Sequence, residues 1–220
     1  MTRKRVGVLI SGRGSNLQAL IDAARDPSYP AKIVVVISNV PGAQGLLRAE
    51  AGLIPALTID HKDFASREAF DAALDNALKE ADVELLCNAG FLRLHTEGFV
   101  RKWWNRHLNI HPSLLPAFRG LHTHARILDE GVQITGCTVH FVRPEMDCGP
   151  IVAQAAVPVL PGDTADSLAA RVLQAEHRLY PHALGLVASG GVRVEGEHVI
   201  AMTQVRDQVP LFSPPLDEPL

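Results

Sequence analysis

Two side chains in the middle of the chain have the types and the spacing to stabilise negative charge on a carbonyl oxygen. Asn109 and His111 lie two residues apart at the end of a short apolar stretch, so in a β-strand both point to the same side. Pro112 follows, and because it lacks a backbone N–H we expect it to end the strand. An amide donor beside an imidazole suits a reaction that develops an oxyanion. The alternative is a purely structural role at a strand end.

A carboxylate from elsewhere in the chain would keep such an imidazole protonated. Asp147 is the best candidate, because Gly149 and Pro150 make its loop a tight turn. A neighbouring negative charge raises the pKa of a histidine. Sequence spacing alone does not bring Asp147 to His111, so their proximity is an expectation about the fold.

Other residues with reactive side chains give weaker signals. His122 and His124 lie two residues apart, but no Cys, Asp or Glu stands at ligand spacing around them, so we expect no metal site. His140 either lines a cleft or lies hydrogen-bonded within a sheet. The three cysteines form no C-x-x-C pair, which predicts reduced thiols in a cytoplasmic protein. Nothing near Cys148 in the sequence would lower the pKa of its thiol.

A glycine-rich turn, SGRGSNLQ at positions 11–18, lies between a predicted strand and a predicted helix. Backbone N–H groups and the helix dipole bind anions in that setting. The dinucleotide fingerprint requires glycine where Leu17 stands and an acidic residue after the second strand, and the Walker motif requires Gly-Lys-Ser/Thr. The remaining interpretation is that Gly14, Ser15 and Asn16 hold a single phosphate group. The alternative is a structural turn in which Ser15 is an ordinary N-cap.

The elements that must position these residues alternate between strand and helix in the first half of the chain. Helical spacing of apolar residues follows each β-branched run, and Ser66 is predicted to cap one helix. Helical crossovers give a parallel sheet covered on both faces. The predicted strands are 6–10, 32–39, 56–59, 83–87 and 108–110. Because ligands bind at the carboxyl ends of such strands, segments 11–16, 88–94 and 109–112 should be neighbours.

The second half of the chain has a different pattern. Two long strand patterns at 134–142 and 150–159 predict an antiparallel pair. Asp163 is predicted to cap a long helix, and the segment GGVRVEGEHVIA predicts a hairpin that turns near Gly196. The predicted fold class is therefore α/β: a Rossmann-like, mostly parallel twisted sheet flanked by helices, with an antiparallel strand pair in the C-terminal half.

Composition and charge limit the possible functions. The chain has 220 residues, 47% of them apolar and 20% charged, which is enough to bury a sizeable core. We predict one domain over residues 1–205 and a poorly ordered, Pro-rich tail over 206–220. The net charge of −3 argues against binding to nucleic acid or to a membrane surface. The apolar run 6–10 is too short for a signal peptide. We therefore expect a cytoplasmic protein that binds small molecules, as a monomer or homodimer.

Six segments of the chain occur in an order and spacing that resemble a known family. They are ISGRGSNLQALID, NAGFLRL, LNIHPSLLPAFRGLHTH, GCTVHFV, MDCGPIVAQAAVPV and AEHRLYP. The chain resembles the phosphoribosylglycinamide formyltransferases, folate-dependent enzymes of purine synthesis, from about Val6 to His182. The motif Asn-x-His-Pro-Ser-Leu-Leu-Pro with a later Asp-x-Gly-Pro is specific for users of 10-formyltetrahydrofolate. The GRGSN turn narrows the resemblance to the glycinamide ribonucleotide enzymes.

The resemblance implies roles for residues in two neighbouring pockets. Gly14, Ser15 and Asn16 would hold the 5′-phosphate of the substrate. Glu176 would contact the substrate near its ribose or amine. The residues implied for the folate pocket are Arg67, Leu92, Arg93, Leu94, His95 and Asn109. The implied catalytic set is Asn109, His111 and Asp147. Without the resemblance, Glu176 and Arg67 would both be interpreted as solvated helix surface.

The implied reaction is direct attack of the glycinamide amine on 10-formyltetrahydrofolate, the co-substrate, without a metal. Asn109 and protonated His111 would hold the oxyanion, and Asp147 would support His111. The alternatives are a formyltetrahydrofolate hydrolase, usually with an extra N-terminal domain, and a non-catalytic nucleotide-binding module. A methionyl-tRNA formyltransferase would need a further basic C-terminal domain. Cys148 stands where the family often has Gly or Ala, which leaves the resemblance intact.

Overall fold

A seven-stranded β-sheet forms the centre of the molecule, in a computed structural model that describes residues 2–202 and 211–213. The strands are β1 (Lys4–Ile10), β2 (Ala31–Ser38), β3 (Ala56–Thr58), β4 (Leu85–Asn88), β5 (His107–His111), β6 (Ile134–Phe141), β7 (Ile151–Pro158), β8 (Val192–Glu195) and β9 (His198–Ala201). The sheet has the order β3-β2-β1-β4-β5-β6-β7, and β8 and β9 pair as a separate hairpin.

Helices carry the chain back between the first five strands, which therefore all run parallel. The helices are α1 (Ser15–Ala24), α2 (Gln44–Ala51), α3 (Arg67–Glu80), α4 (Glu97–Lys102), α5 (Thr123–Asp129) and α6 (Ala165–Ser189), and a 3₁₀ turn covers His61–Asp63. Strand β6 is antiparallel to both β5 and β7. The predicted fold class is confirmed, and so is the hairpin around Gly196.

Two predicted helix caps have different outcomes. Ser66 is the N-cap of α3, where its side chain accepts a hydrogen bond from the Ala69 N–H at 3.2 Å. The prediction that Asp163 caps α6 is wrong, because Thr164 is the N-cap and forms a reciprocal capping box with Ser167. The Asp163 carboxylate accepts instead from the Arg171 guanidinium, at 2.6 Å.

Apolar side chains fill both faces of the sheet. Val8 of β1 and Leu20 of α1 are fully buried in the core that α1 and α6 cover. Leu9 of β1 and Phe70 of α3 are fully buried in the core on the other side. Successive residues of β1 thus point to opposite faces, as a parallel strand covered on both sides requires.

Tyr180 fixes the long helix α6 over the sheet. Its side chain is fully buried, and its hydroxyl lies 3.0 Å from the Asn88 carbonyl and 3.2 Å from the Leu108 carbonyl. Burial raises the pKa of Tyr180 well above its ordinary value, so the hydroxyl stays a neutral donor. The two carbonyls belong to β4 and β5, so one residue of α6 is tied to both strands.

Arg143 connects the β8–β9 hairpin to the rest of the molecule. Its Nε donates to Glu197 Oε2 at 2.8 Å, and its Nη2 donates to Asn105 Oδ1 at 2.9 Å. The guanidinium carbon lies 3.8 Å from the centroid of the Trp104 ring. The charge of Arg143 is thus balanced by the hairpin while its flat face packs on an aromatic ring.

Part of the sequence prediction lies outside the described residues. The predicted tail over 206–220 is described only at 211–213, and the end of the predicted 1–205 domain also lies beyond the described range. Within the described parts of the chain, every helix is too short or too polar to cross a membrane.

Candidate active site

The turns that follow β1, β4 and β5 lie side by side at one edge of the sheet. Leu9 pairs with Asn88, and Asn88 pairs with Asn109, so the ends of the three strands are in register. The Ser11 N–H also donates to the Gly90 carbonyl at 3.0 Å. The expectation that segments 11–16, 88–94 and 109–112 are neighbours is therefore confirmed.

The fold brings Asp147 to His111 across the β6–β7 connection. Asp147 Oδ2 lies 3.3 Å from His111 Nδ1, and only 7% and 10% of the His111 and Asp147 side chains are exposed. His111 Nε2 lies 2.9 Å from the Phe118 carbonyl oxygen. Asp147 Oδ2 also accepts from the Gly120 N–H at 2.9 Å. Both neighbours of the imidazole are acceptors, so an imidazolium with two N–H groups satisfies both.

Asn109 is oriented by His140, the histidine for which the sequence left two environments open. His140 is buried in β6, where its Nδ1 lies 3.0 Å from the Phe141 carbonyl. Burial lowers the pKa of His140, so the ring is neutral, with Nδ1 as donor and Nε2 as acceptor. The Asn109 amide nitrogen then donates to Nε2 at 3.2 Å. His140 Nε2 also lies 3.7 Å from Asp147 Oδ1, at the rim of the same cluster.

The segment after Pro112 is held by hydroxyl and amide groups that sequence reasoning missed. Thr138 Oγ1 donates to the Ser113 carbonyl at 2.7 Å and accepts from the Leu115 N–H at 3.0 Å. Gln154 Nε2 donates to the Leu115 carbonyl at 2.9 Å. These bonds connect the segment to β6 and β7 and so help to place the Phe118 carbonyl against His111. No local pattern in the sequence points to them, because they join distant segments.

The glycine turn has the conformation of an uncapped helix start. Gly14 is the N-cap of α1 with φ of 68°, Ser15 is the first helical residue, and no side chain caps the helix. The alternative in which Ser15 is the N-cap is therefore wrong. A Cβ on residue 14 would lie 2.6 Å from the Gly45 Cα, so glycine is required by packing as well as by backbone conformation. The first N–H groups of α1 face outward without a side-chain acceptor.

Glu176 is buried beside this turn. Asn16 Nδ2 donates to Glu176 Oε2 at 2.7 Å, and the two residues are only 8% and 6% exposed. Burial raises the pKa of Glu176, and the hydrogen bond from Asn16 opposes that rise. The interpretation of Glu176 as solvated helix surface is therefore wrong. Its position, four residues after Val172 and three before Leu179 on the apolar stripe of α6, is a signal that the sequence did contain.

Two basic residues that sequence reasoning missed line a cavity next to Ser15. The cavity has a volume of about 390 Å³ and is lined by Ser15, Gln18, Ala19, Asp22, Arg48 and His177. Arg48 Nε donates to the Arg13 carbonyl at 2.9 Å. Burial and the Arg48 charge lower the pKa of His177. Single basic residues on separate helices give no sequence motif, so only the fold brings them together.

The residues implied for a folate pocket differ in how they are placed. Leu92 and Leu94 are 80% and 52% exposed. The Arg93 guanidinium lies 5.0 Å from the centroid of the Phe70 ring. Arg67 is exposed at the start of α3. The His95 side chain is only 3% exposed and packs among aromatic rings.

The remaining candidates for reactive groups are the Cys148 thiol and a metal site. Burial raises the pKa of the Cys148 thiol, which donates to the Glu145 carbonyl at 3.2 Å. Over residues 2–202 and 211–213, no three His, Cys, Asp or Glu side chains are grouped so that they could hold a metal ion.

Comparison with known proteins identifies the family. The formyl transferase family model matches residues 4–184. The chain is 54% identical over 192 residues to the trifunctional purine biosynthetic protein adenosine-3 of Bos taurus, covering 87% of this chain and 19% of that protein. The chain thus spans about a fifth of the length of this trifunctional relative.

Relatives of the same size give matching results. The phosphoribosylglycinamide formyltransferase of Escherichia coli is 43% identical over 187 residues, which is 85% of this chain and 88% of that protein. The crystal structure of glycinamide ribonucleotide transformylase 1 from Symbiobacterium toebii superimposes with a TM-score of 0.89 at 48% identity, covering 91% of this chain and 95% of the other. The chain belongs to the formyl transferase family and, within it, to the phosphoribosylglycinamide formyltransferases.

Proposed function

We propose that the protein transfers the formyl group of 10-formyltetrahydrofolate to the amine of 5′-phosphoribosylglycinamide, in purine biosynthesis. The observation that carries the proposal is the cluster of Asn109, His111 and Asp147 at the carboxyl end of the sheet, in a member of the formyl transferase family. The names of the similar proteins support the same reaction. The proposed setting is the cytoplasm, with the enzyme as a monomer or homodimer.

The substrate phosphate binds at the start of α1 in this proposal. Gly14, Ser15 and Asn16 offer backbone N–H groups and the positive end of the helix dipole. Arg48 and His177, beside Ser15, add side chains that can pair with phosphate oxygens. The phosphate end of the substrate is thereby fixed at one side of the cleft.

The ribose or amine end of the substrate lies near Glu176. The Asn16–Glu176 hydrogen bond aims this carboxylate from α6 at the same side of the cleft as the glycine turn. A buried carboxylate is a strong partner for an ammonium or hydroxyl donor, because little water competes for it. Glu176 thus orients the amine toward the formyl donor.

The folate lies on the other side of the catalytic cluster. The residues proposed to line its pocket are Arg67, Leu92, Arg93, Leu94 and Asn109, with the buried His95 supporting the loop from behind. Two exposed leucines next to two arginines suit a ligand with a flat aromatic part and a carboxylate tail. Asn109 lies at the end of β5 between the two pockets, where it contacts both ligands.

The chemical step is a direct transfer. The neutral amine attacks the formyl carbon, and the carbonyl electron pair becomes an oxyanion held by the Asn109 amide and the His111 imidazolium. For this, one His111 N–H turns from its present acceptor to the developing oxyanion. The carbon–N10 bond then breaks, and the proton lost by the amine goes to N10 of the leaving tetrahydrofolate. Asp147, whose Oδ2 lies 3.3 Å from His111 Nδ1, is the negatively charged partner that supports His111 in this step.

His111→Ala tests the mechanism. We expect kcat to fall by about 10²–10³, the typical cost of one oxyanion donor, while the ribonucleotide still binds through the turn at residues 14–16. His198→Ala, which changes an exposed histidine on β9, is the control and should leave kcat unchanged. Near-normal turnover of His111→Ala would contradict the mechanism.

The substrate requirement tests the function itself. Loss of 10-formyltetrahydrofolate is followed by absorbance, with and without the ribonucleotide. Turnover that requires the ribonucleotide supports the proposal. Turnover without the ribonucleotide would indicate a formyltetrahydrofolate hydrolase. No turnover in either condition would indicate a non-catalytic nucleotide-binding module.

A further inference from the structure

The loop over residues 91–96 has no regular secondary structure, yet polar side chains hold it at both ends. At its start, the Leu92 N–H donates to Ser11 Oγ at 2.8 Å, and that hydroxyl donates to Asn39 Oδ1 at 2.6 Å. At its end, the Thr96 N–H donates to Asp71 Oδ2 at 2.6 Å. One anchor comes from the end of β1 and the other from α3, so the loop is fixed from two separate elements.

An aromatic stack holds the middle of the same loop. The His95 ring lies between Phe91 and Phe99, with centroid distances of 5.1 Å and 4.5 Å and interplanar angles of 9° and 11°. His95 Nδ1 lies 3.5 Å from Asp71 Oδ1, and both side chains are at most 5% exposed. Burial raises the pKa of Asp71, but the adjacent His95 ring and the hydrogen bond from the Thr96 N–H outweigh burial and lower it, so Asp71 is ionised.

Between the anchors lie three residues, two of them exposed leucines. Leu92 and Leu94 are 80% and 52% exposed, and Arg93 between them lies against the Phe70 ring. Exposed leucines in a loop with a fixed backbone form a prepared surface, because binding an apolar ligand there needs little further ordering.

We propose that Ser11 and Asp71 are positioning residues for the folate co-substrate. Neither side chain contacts the ligand. They fix the backbone of loop 91–96 so that the segment 92–94 forms one wall of the pocket before the ligand arrives. This inference rests on the proposed function.

Asp71→Ala tests the anchor at the end of the loop. The KM for 10-formyltetrahydrofolate and the Kd of tetrahydrofolate, measured by calorimetry, should rise about fivefold for each lost hydrogen bond of ~1 kcal/mol. kcat and the KM for the ribonucleotide should stay unchanged. Asp71→Asn keeps an acceptor for the Thr96 N–H and should restore part of the affinity.

Asp75→Ala is the matched control on the same helix. Asp75 is an equally buried carboxylate, but it accepts from Lys79, Lys102 and Trp103 and not from the loop. Asp75→Ala should lower the melting temperature and leave the folate KM unchanged. An equal rise of the folate KM in both variants would mean that general stability, and not the loop anchor, is responsible. That result would overturn the proposal.

Ser11→Ala tests the other anchor without removing a charge. Ser38→Ala is its control, because Ser38 also lies at a strand end, more deeply buried than Ser11, but its hydroxyl bonds only to Val40 in its own turn. Ser11→Ala should raise the folate KM about fivefold and speed hydrogen exchange of the Leu92 amide, and Ser38→Ala should do neither. Unchanged exchange at Leu92 would overturn the proposal. Hydrogen exchange at Leu92 is measured independently of turnover. If the wild-type protein showed no formyl transfer, the proposed function would be refuted, while the anchoring of the loop by Ser11 would still be tested by exchange.

Discussion

At the scale of single residues, the two central histidines, His140 and His111, have different polar neighbours. His140 has one carbonyl acceptor and one amide donor, which fits a neutral ring. His111 has two acceptors as neighbours, the Asp147 carboxylate and the Phe118 carbonyl. The site therefore places two imidazoles in different surroundings, one that orients Asn109 and one beside Asp147.

Ionised Glu176 lowers the stability of the folded chain, because the carboxylate is buried, yet the proposed function uses it to bind the substrate. Burial raises its folded-state pKa above that of the unfolded chain, so stability is highest below the usual pKa of glutamate and falls as pH rises through the raised value. Glu176→Gln keeps an acceptor for Asn16 and cannot ionise. We expect it to raise the melting temperature at pH 8 by about 2–4 °C, as ~1 kcal/mol does in a chain of this size.

The same variant should weaken binding of the ribonucleotide. The gain in melting temperature should shrink toward pH 4, where the wild-type carboxyl is protonated. Thermal unfolding at both pH values, together with the ribonucleotide KM, measures the two effects. A gain of the same size at pH 4 would show that ionisation is not its cause.

At the scale of elements, the packing of α1 against α2 decides the shape of the glycine turn. Gly14→Ala places a Cβ at 2.6 Å from the Gly45 Cα in addition to the strain of a φ of 68°. We expect a loss of about 1–3 kcal/mol of unfolding free energy and a large rise in the ribonucleotide KM. Urea denaturation and steady-state kinetics measure these.

Gly131→Ala is the control for Gly14→Ala, because it introduces the backbone strain without a steric clash. Gly131 has a φ of 67° with no atom within 4 Å of an added Cβ, and it lies beyond α5. Its substitution should cost ~1 kcal/mol and leave the ribonucleotide KM unchanged. Equal losses in the two variants would mean that the contact with Gly45 is unimportant.

At the scale of the whole molecule, α6 joins the two halves of the chain through Tyr180. Tyr180→Phe leaves the carbonyls of Asn88 and Leu108 without this buried donor, so we expect a loss of about 1–3 kcal/mol in urea denaturation. Tyr29→Phe is the control, because the Tyr29 hydroxyl donates to a single carbonyl, that of Pro181, at a half-buried site. It should cost less, and an equal cost would contradict the structural role of Tyr180.

The strand ends of this molecule could be predicted from sequence, because apolar runs end at Asn88 and at Pro112 within a few residues. For the pairing of His111 with Asp147 the sequence could name only a candidate, since their approach depends on how β6 and β7 fold back on β5. The proximity of Arg48 to His177 could not be predicted from the sequence either, because the two residues stand on different helices. Sequence patterns report periodicity and local turns, whereas these contacts arise only when distant elements pack.

The Arg143 contact gives the molecule an optical property. The chain has two tryptophans: Trp103 is 3% exposed, and Trp104 is 38% exposed beneath the guanidinium of Arg143. The Trp104 indole thus packs on the same guanidinium that forms an ion pair with Glu197 of the β8–β9 hairpin. Loss of the Arg143–Glu197 ion pair should therefore shift the fluorescence of Trp104, against a constant contribution from the buried Trp103.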